Sequence, residues 1–406
     1  MKNPFEFGRE LSADELVDRK EELEAVVSAM TGGSKLFLIG PRRYGKTSIL
    51  KAAGEIAERD RRAVILRYNV EGFPTLDLLV GRLVTDAARA LQGGLERTAA
   101  RVKDYFSRLR PEFSANATQT EWTVKVGAAV AAPDKDQVPL LLDALDGLEK
   151  LAAEESGKRP VSLVLDEFQR VVAEGGAKAE GQIRAAVQQH RHVGYVFAGS
   201  DTRMLTAMVT DHSRPFYRLG SSIFIGPVPR EDFRRFLSDN FTRGGFAITG
   251  RNPEAGAQED RPSPLDLILD LAEEVPYNVQ ALAHACWNLL AGAQDAADRV
   301  LSPEVVREAL DRIVRRSGPF YTAQWVPLTG LQKKTLLAAV EEGGRQMQSR
   351  KVTRAIGANP SSVQKALLKL TESNILREEA TEGENRYRFE DPFFSHWIRL
   401  AVRGGA

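Results

Sequence analysis

Eight consecutive residues, Gly40-Pro41-Arg42-Arg43-Tyr44-Gly45-Lys46-Thr47, carry the spacing G-x-x-x-x-G-K-[ST]. These residue types suit a phosphate. Glycines at both ends let the backbone curl until successive N–H groups point inward at phosphate oxygens. A helix that begins at the end of the loop, through Thr47 and Ser48, adds its positive N-terminal end. Lys46 has the length to reach β- and γ-phosphates, and the Thr47 hydroxyl suits Mg²⁺. The context agrees, because an apolar run, Leu36–Ile39, precedes the loop and a helical pattern, Thr47–Arg61, follows it. Of Arg42 and Arg43, one is suited to touch phosphate and the other to face solvent or a partner. The spacing does not choose between them.

A phosphate loop requires an acidic site on a neighbouring strand, and "SLVLDEFQ" supplies one. Asp166 follows the apolar run Val161–Leu165 and is placed to hold Mg²⁺; Glu167 is placed to orient and deprotonate an attacking water. Alone, the pair would read first as the start of a helix, where acids suit the dipole; beside the loop it reads as catalytic. A water-activating glutamate also argues against a small-molecule kinase. A further strand, "GYVFAGSD", ends in Ser200, which either senses the γ-phosphate or, with Asp201, caps the next helix. Arg214 and Arg218 precede the last strand. Each is either an arginine for the γ-phosphate, in its own subunit or a neighbour's, or a cation paired with acids.

The elements that must position these groups alternate. Leu36–Ile39, Ala63–Tyr68, Val161–Leu165, Tyr195–Ala198 and Ile223–Ile225 read as strands, with helical patterns such as Ile183–His190 between them. The alternation predicts an α/β fold with a parallel sheet covered on both faces. Residues 93–133 interrupt it with a charged helical part and a short strand or hairpin in "TQTEWTVKVGAAV". From Pro229 the pattern is helical. The final part reads helix, helix, turn with Gly357, helix capped at Asn359 or Ser361, two strands and helix, the order of a winged helix-turn-helix. We expect a core over 1–228, a helical lid over 229–325 and a winged helix over 326–406.

Composition excludes some classes. The 56 Lys+Arg against 55 Asp+Glu leave no global field that draws the chain to nucleic acid or membrane. One cysteine, Cys286, excludes an internal disulfide, and its apolar helix suggests a core position. No signal-peptide pattern, membrane span or Cys/His zinc cluster stands out, which predicts a soluble cytoplasmic protein without a membrane partner. Between Arg345 and Glu390, nine Lys/Arg face six Asp/Glu, a modest basic excess. Ser361, Ser362, Gln364, Lys365, Lys369, Arg386 and Arg388 are the candidate contacts if the winged helix binds DNA, and protein docking is the alternative.

Together these motifs resemble the archaeal-type ATPases of the STAND class of P-loop NTPases, relatives of the AAA+ origin-recognition ATPases. "GPRRYGKTSIL" and "LVLDEFQ" match that family closely. "NPFEFGRELSADELVDRKEELEAV" is similar to its N-terminal box, with Val17, Asp18, Arg19, Glu22 and Leu23 at the box positions. The resemblance implies a P-loop NTPase core of AAA+/STAND type, and an adenine held with the help of Val17 and Arg19. In the lid, "EVPYNVQAL" implies Pro276 and Tyr277 near the nucleotide, although Glu274 stands where glycine is usual. It further implies ATP and Mg²⁺ as cofactors, slow hydrolysis to ADP without a partner, a separate protein partner and ATP-dependent self-assembly. Two other roles remain: an ATP-controlled regulator or loader on double-stranded DNA, and an adaptor with little hydrolysis.

Overall fold

The computed structural model describes residues 2–90, 95–109, 111–115, 122–126, 138–155, 157–249, 263–295, 298–381 and 384–402. Most of the loop expected near 250–264, and parts of the 93–133 insertion, lie outside the described residues. The chain forms two compact units. One is Glu10–Gly226; the other joins Met1–Arg9 to Pro227–Ala406.

In the first unit α1 (Lys20–Thr31) leads to β1 (Lys35–Ile39), α2 (Lys46–Arg61), β2 (Val64–Asn69) and α3 (Leu76–Ala90). Next come α4 (Leu95–Tyr105), the hairpin β3 (Pro111–Ala115) and β4 (Trp122–Val126), and α5 (Val138–Glu155). The unit closes with β5 (Val161–Asp166), α6 (Gln169–Gln189), β6 (Val193–Gly199), α7 (Thr202–Thr210) and β7 (Ser221–Phe224). Five strands form one parallel sheet in the order β2-β5-β6-β1-β7. β5 and β6 are buried along their whole length, which is why their sequences are continuous apolar runs rather than alternating ones. Phe37, Phe168, Phe197 and Phe216 pack ring against ring in the core.

Register aligns the ends that carry chemistry. Ile39 pairs with Gly199 on one side and with Phe224 on the other, and Asn69 pairs with Asp166. From β1 the chain runs to β2 across β6 and β5, while from β6 it runs to β7 across β1. Connections thus leave β1 and β6 in opposite directions. The crevice opened at such a point is where open α/β sheets bind ligands. The last strand lies slightly earlier than Ile223–Ile225, with Ile225 N–H still bonded to the Ile39 carbonyl. Among the described residues the inserted β4 pairs with β3 as a two-stranded antiparallel hairpin.

The second unit runs α8 (Arg230–Arg243), β8 (Ala247–Ile248), α9 (Pro264–Leu271), α10 (Pro276–Ala291), β9 (Val300–Leu301), α11 (Pro303–Arg316) and α12 (Gly318–Trp325). It ends in α13 (Gly330–Glu342), α14 (Arg350–Ile356), α15 (Pro360–Glu372), β10 (Leu376–Thr381), β11 (Glu384–Phe389) and α16 (Pro392–Trp397). That is the three-helix, hairpin, helix order expected at the C-terminus. Gly357 takes φ 74° in the turn, and Asn359 rather than Ser361 caps α15. The three-way division expected at 228 and 325 differs from these units in two places. Phe5 is fully buried against Phe236, Phe241 and Trp287, so the first nine residues pack with the second unit. Asp391, which caps α16, accepts hydrogen bonds from Asn278 of α10 and Tyr321 of α12, tying the helical part to the C-terminal part. Cys286 is buried as expected, and burial pushes its thiol pKa up. Among the described residues no helix is long and apolar enough to cross a membrane.

Candidate phosphate site

The loop after β1 curls as its glycines require, but the two serve different ends. Gly45 takes φ 86° with nothing near an added Cβ, so it is needed for backbone conformation. A Cβ on Gly40 would lie 2.7 Å from Ile225 Cβ and 2.8 Å from Ile225 O, so Gly40 is needed for close packing beside β7. Arg43 is also left-handed, at φ 69°. A non-glycine residue there carries a strain of roughly 1–3 kcal/mol. Left-handed residues at Arg43 and Gly45 build the kind of turn whose N–H groups converge into an anion-binding nest.

Gly45 caps α2 without a side-chain acceptor for the helix's first N–H groups. Lys46 is buried, and its Nζ donates to the Pro41 carbonyl at 2.9 Å. Tyr44 is buried, and the buried Ser48 hydroxyl accepts from Leu11 N–H at 3.0 Å.

Asp166 sits at the end of β5 and is almost fully buried. Thr47 Oγ1 donates to its Oδ2 at 2.8 Å, and Glu167 N–H donates to its Oδ1 at 3.0 Å. Burial raises the Asp166 pKa, the neighbouring Glu167 charge raises it further, and Thr47 and Lys46 only partly offset this. Burial also opposes ionisation of Glu167, but hydrogen bonds from Gln169 and Ser200 and the Lys46 charge outweigh it and hold its pKa below the ordinary range. Glu167 takes φ 55°, which turns its side chain away from the strand line. Its Oε2 accepts from Gln169 Nε2 at 2.6 Å, Ser200 Oγ at 2.7 Å and Ser200 N–H at 3.1 Å. At the β6 end Ser200 contacts Glu167, while Asp201 caps α7 by accepting from Met204 N–H at 2.9 Å.

The arginines divide. Arg214 Nε donates to the buried Glu180 carboxylate at 3.2 Å and Nη2 bonds the same group, so Arg214 takes the acid-paired arrangement. Arg218 is exposed, with its guanidinium 5.1 Å from the Tyr217 ring centroid. Arg42 contacts Glu71 Oε1 at 3.2 Å and Ser200 Oγ at 3.4 Å. In the N-terminal box Arg19 is buried; Nη1 donates to Glu22 at 2.7 Å and Nη2 to the Gly226 carbonyl at 2.6 Å. Arg19 therefore anchors the segment that carries the half-buried Val17. Pro276 and Tyr277 belong to the second unit, where Pro276 opens α10 and Tyr277 meets Phe7 edge-on at 5.6 Å. Glu274 keeps the left-handed φ of 57° that a glycine would favour and pairs with Arg230 at 2.7 Å. Gln169, Glu71 and Glu180 escape sequence reading. Only Glu71 left a signal, since it follows the end of β2 on the same sheet edge.

The donors fit a magnesium nucleotide. Thr47 and Asp166 offer hard oxygens at the mouth of the nest. Among the described residues no cluster of three or more His, Cys, Asp or Glu side chains could hold a metal alone. A cation here would need phosphate and water oxygens to complete its shell, which is how Mg²⁺ is usually bound beside a nucleotide.

No family model matches the chain. No curated protein matches it either. Among solved structures, the Walker-type ATPase of Pyrococcus abyssi superposes with a TM-score of 0.57 at 16% identity, covering 98% of this chain and 99% of its own. The ORC2 protein of Aeropyrum pernix, solved in ADPNP–ADP complexes, superposes with a TM-score of 0.53 at 14% identity, covering 100% of this chain and 98% of its own. At such identities the likeness establishes the fold, the parallel α/β fold of P-loop ATPases.

Proposed function

We propose that the chain is an ATP-binding and ATP-hydrolysing switch of the AAA+/STAND kind. The observation that carries this reading is the 2.8 Å hydrogen bond from Thr47 to Asp166, with Glu167 next in the chain, beside a nest of backbone donors. In this reading the loop N–H groups and the start of α2 bind the phosphates, and Lys46 exchanges the Pro41 carbonyl for a phosphate oxygen. Thr47 and Asp166 hold Mg²⁺, which when bound neutralises charge on the β- and γ-oxygens. Glu167 orients a water for attack on the γ-phosphorus and takes its proton, while ADP leaves with the bridging oxygen. Oε2 already carries three hydrogen bonds, so Oε1 is the atom left for that proton. Adenine agrees with the ADPNP–ADP complexes of a protein of like fold. Within its unit, Val17 is the candidate to meet the base. Arg218, exposed and without an acidic partner among the described residues, is the candidate to act on a neighbouring subunit in an ATP-dependent homo-oligomer or a complex with another protein.

The test is calorimetric titration of ATP with Mg²⁺ into the wild-type chain and Lys46→Ala. The variant should lose at least about a hundredfold in affinity, as expected for a desolvated, charge-assisted contact and its neighbours. Equal binding by the two proteins overturns the reading.

One observation favours a second role, weak binding of double-stranded DNA by the C-terminal module. Arg350 and Arg354 on α14 and Lys365 on α15 are exposed, and no acidic partner is assigned to them among the described residues. The other candidates are engaged. Arg388 pairs with Glu273 and Glu379, Lys369 with Glu372, Gln364 bonds Gln348, and Arg386 donates to the Gly343 carbonyl.

A further inference from the structure

Arg42 stands where two groups of the site compete for it. Its Nη2 lies 3.2 Å from Glu71 Oε1, just beyond the end of β2, and its Nε lies 3.4 Å from Ser200 Oγ, just beyond the end of β6. The guanidinium therefore spans the carboxyl edge of the sheet from within the phosphate loop. The side chains of Arg42 and Glu71 are 44% and 43% exposed, so water screens their pairing and it exchanges readily. A doubly charged terminal phosphate offers the same guanidinium a bidentate partner of higher charge density.

Ser200 extends the contact to the catalytic glutamate. Its hydroxyl donates to Glu167 Oε2 at 2.7 Å while accepting from Arg42. An acceptor that is also a donor is polarised, so the Arg42 contact strengthens the hold of Ser200 on Glu167. Glu167 in turn joins Asp166, and Asp166 joins Thr47. Hydrogen bonds thus link Glu71, Arg42, Ser200 and the Glu167 carboxylate, and the Glu167 backbone N–H adds Asp166, which Thr47 also contacts. Among the other candidate arginines, Arg214 is committed to Glu180.

We infer that Arg42 recognises the terminal phosphate in its own chain, that Glu71 holds it aside in the absence of nucleotide, and that ATP, but not ADP, draws it from Glu71. The inference rests on the ATP site proposed above and adds a residue pair that tells the triphosphate from the diphosphate. As Arg42 leaves, Ser200 loses its donor, and its grip on Glu167 weakens as the γ-phosphate arrives.

The experiment titrates the magnesium complexes of ADPNP and ADP into the full chain as wild type, Arg42→Ala, Glu71→Gln and the double variant. Arg42→Ala should lose about tenfold in ADPNP affinity and stay within about twofold for ADP. Glu71→Gln should gain about two- to fivefold for ADPNP alone, and that gain should vanish in the double variant. Retained ADP binding shows that each variant is folded. If Arg42→Ala weakens both nucleotides alike or neither, or if the Glu71→Gln gain persists without Arg42, the inference is overturned while the ATP site stands. A wild-type chain that binds neither nucleotide overturns both.

Discussion

The phosphate loop and the C-terminal module begin their helices in opposite ways. Four helices of the module start on a side-chain cap: Thr329 for α13, Ser349 for α14, Asn359 for α15 and Asp391 for α16. The helix after the phosphate loop starts on Gly45, with no side-chain acceptor. A cap satisfies N–H groups that a helix start otherwise leaves unbonded, and contributes about 1 kcal/mol. In the module that stability is taken. At α2 no side chain supplies it. Charges repeat the contrast. Lys351 and Lys369 pair with Glu342 and Glu372, and Arg377 with Glu379. At the phosphate site Asp166 and Glu167 lie side by side, with burial raising the pKa of Asp166.

Four variants test that contrast. The largest effect is expected at Glu167→Gln, which keeps the shape of the site but removes the proton acceptor. Phosphate release should fall about 10²- to 10⁴-fold while ATP binding persists, and an active Glu167→Gln enzyme would place the base elsewhere. Gly40→Ala comes next. Its Cβ would press on Ile225, so thermal unfolding should show a loss of about 1–3 kcal/mol, with weaker ATP binding. If the variant melts like the wild type, the loop has room that the close approach denies.

For the module, Arg354→Glu combined with Lys365→Glu removes two of its unpaired cations. A gel shift on duplex DNA should show the salt slope falling by about 2 and affinity near 0.1 M salt falling about tenfold. Unchanged binding would remove α14 and α15 as the reader. The smallest effect is expected at Asn359→Ala, which deletes the α15 cap. It should cost about 1 kcal/mol in denaturant unfolding and leave nucleotide affinity untouched. A change in ATP affinity here would break the separation between the self-satisfied and the ligand-ready region.

Local chemistry was legible from the residues in order. The phosphate loop, Asp166 and Glu167, the strand runs, the inserted strand and the helix-helix-helix-hairpin order all depend on spacings of a few residues, and such spacings act on backbone geometry directly. Partnerships across the fold were not legible. Arg214 meets Glu180, which lies 34 positions earlier; Arg42 meets Glu71, 29 positions later; Arg19 meets the Gly226 carbonyl, 207 positions later. Nothing in the neighbourhood of any of these arginines marks its partner, because the pairing follows from sheet order and from the helices laid over it. The same holds for Phe5, whose box motif suggested the core unit but whose ring is buried in the other. At Glu274 the sequence departs from glycine, yet the chain keeps the left-handed turn, because the Arg230 pair and the surrounding packing hold a conformation that the side chain alone would avoid. Sequence determined which groups stand at the ends of β1, β5 and β6. Tertiary structure decided which cations remain free to meet a ligand, since a charge is spent or spared only once the fold brings its counter-charge near.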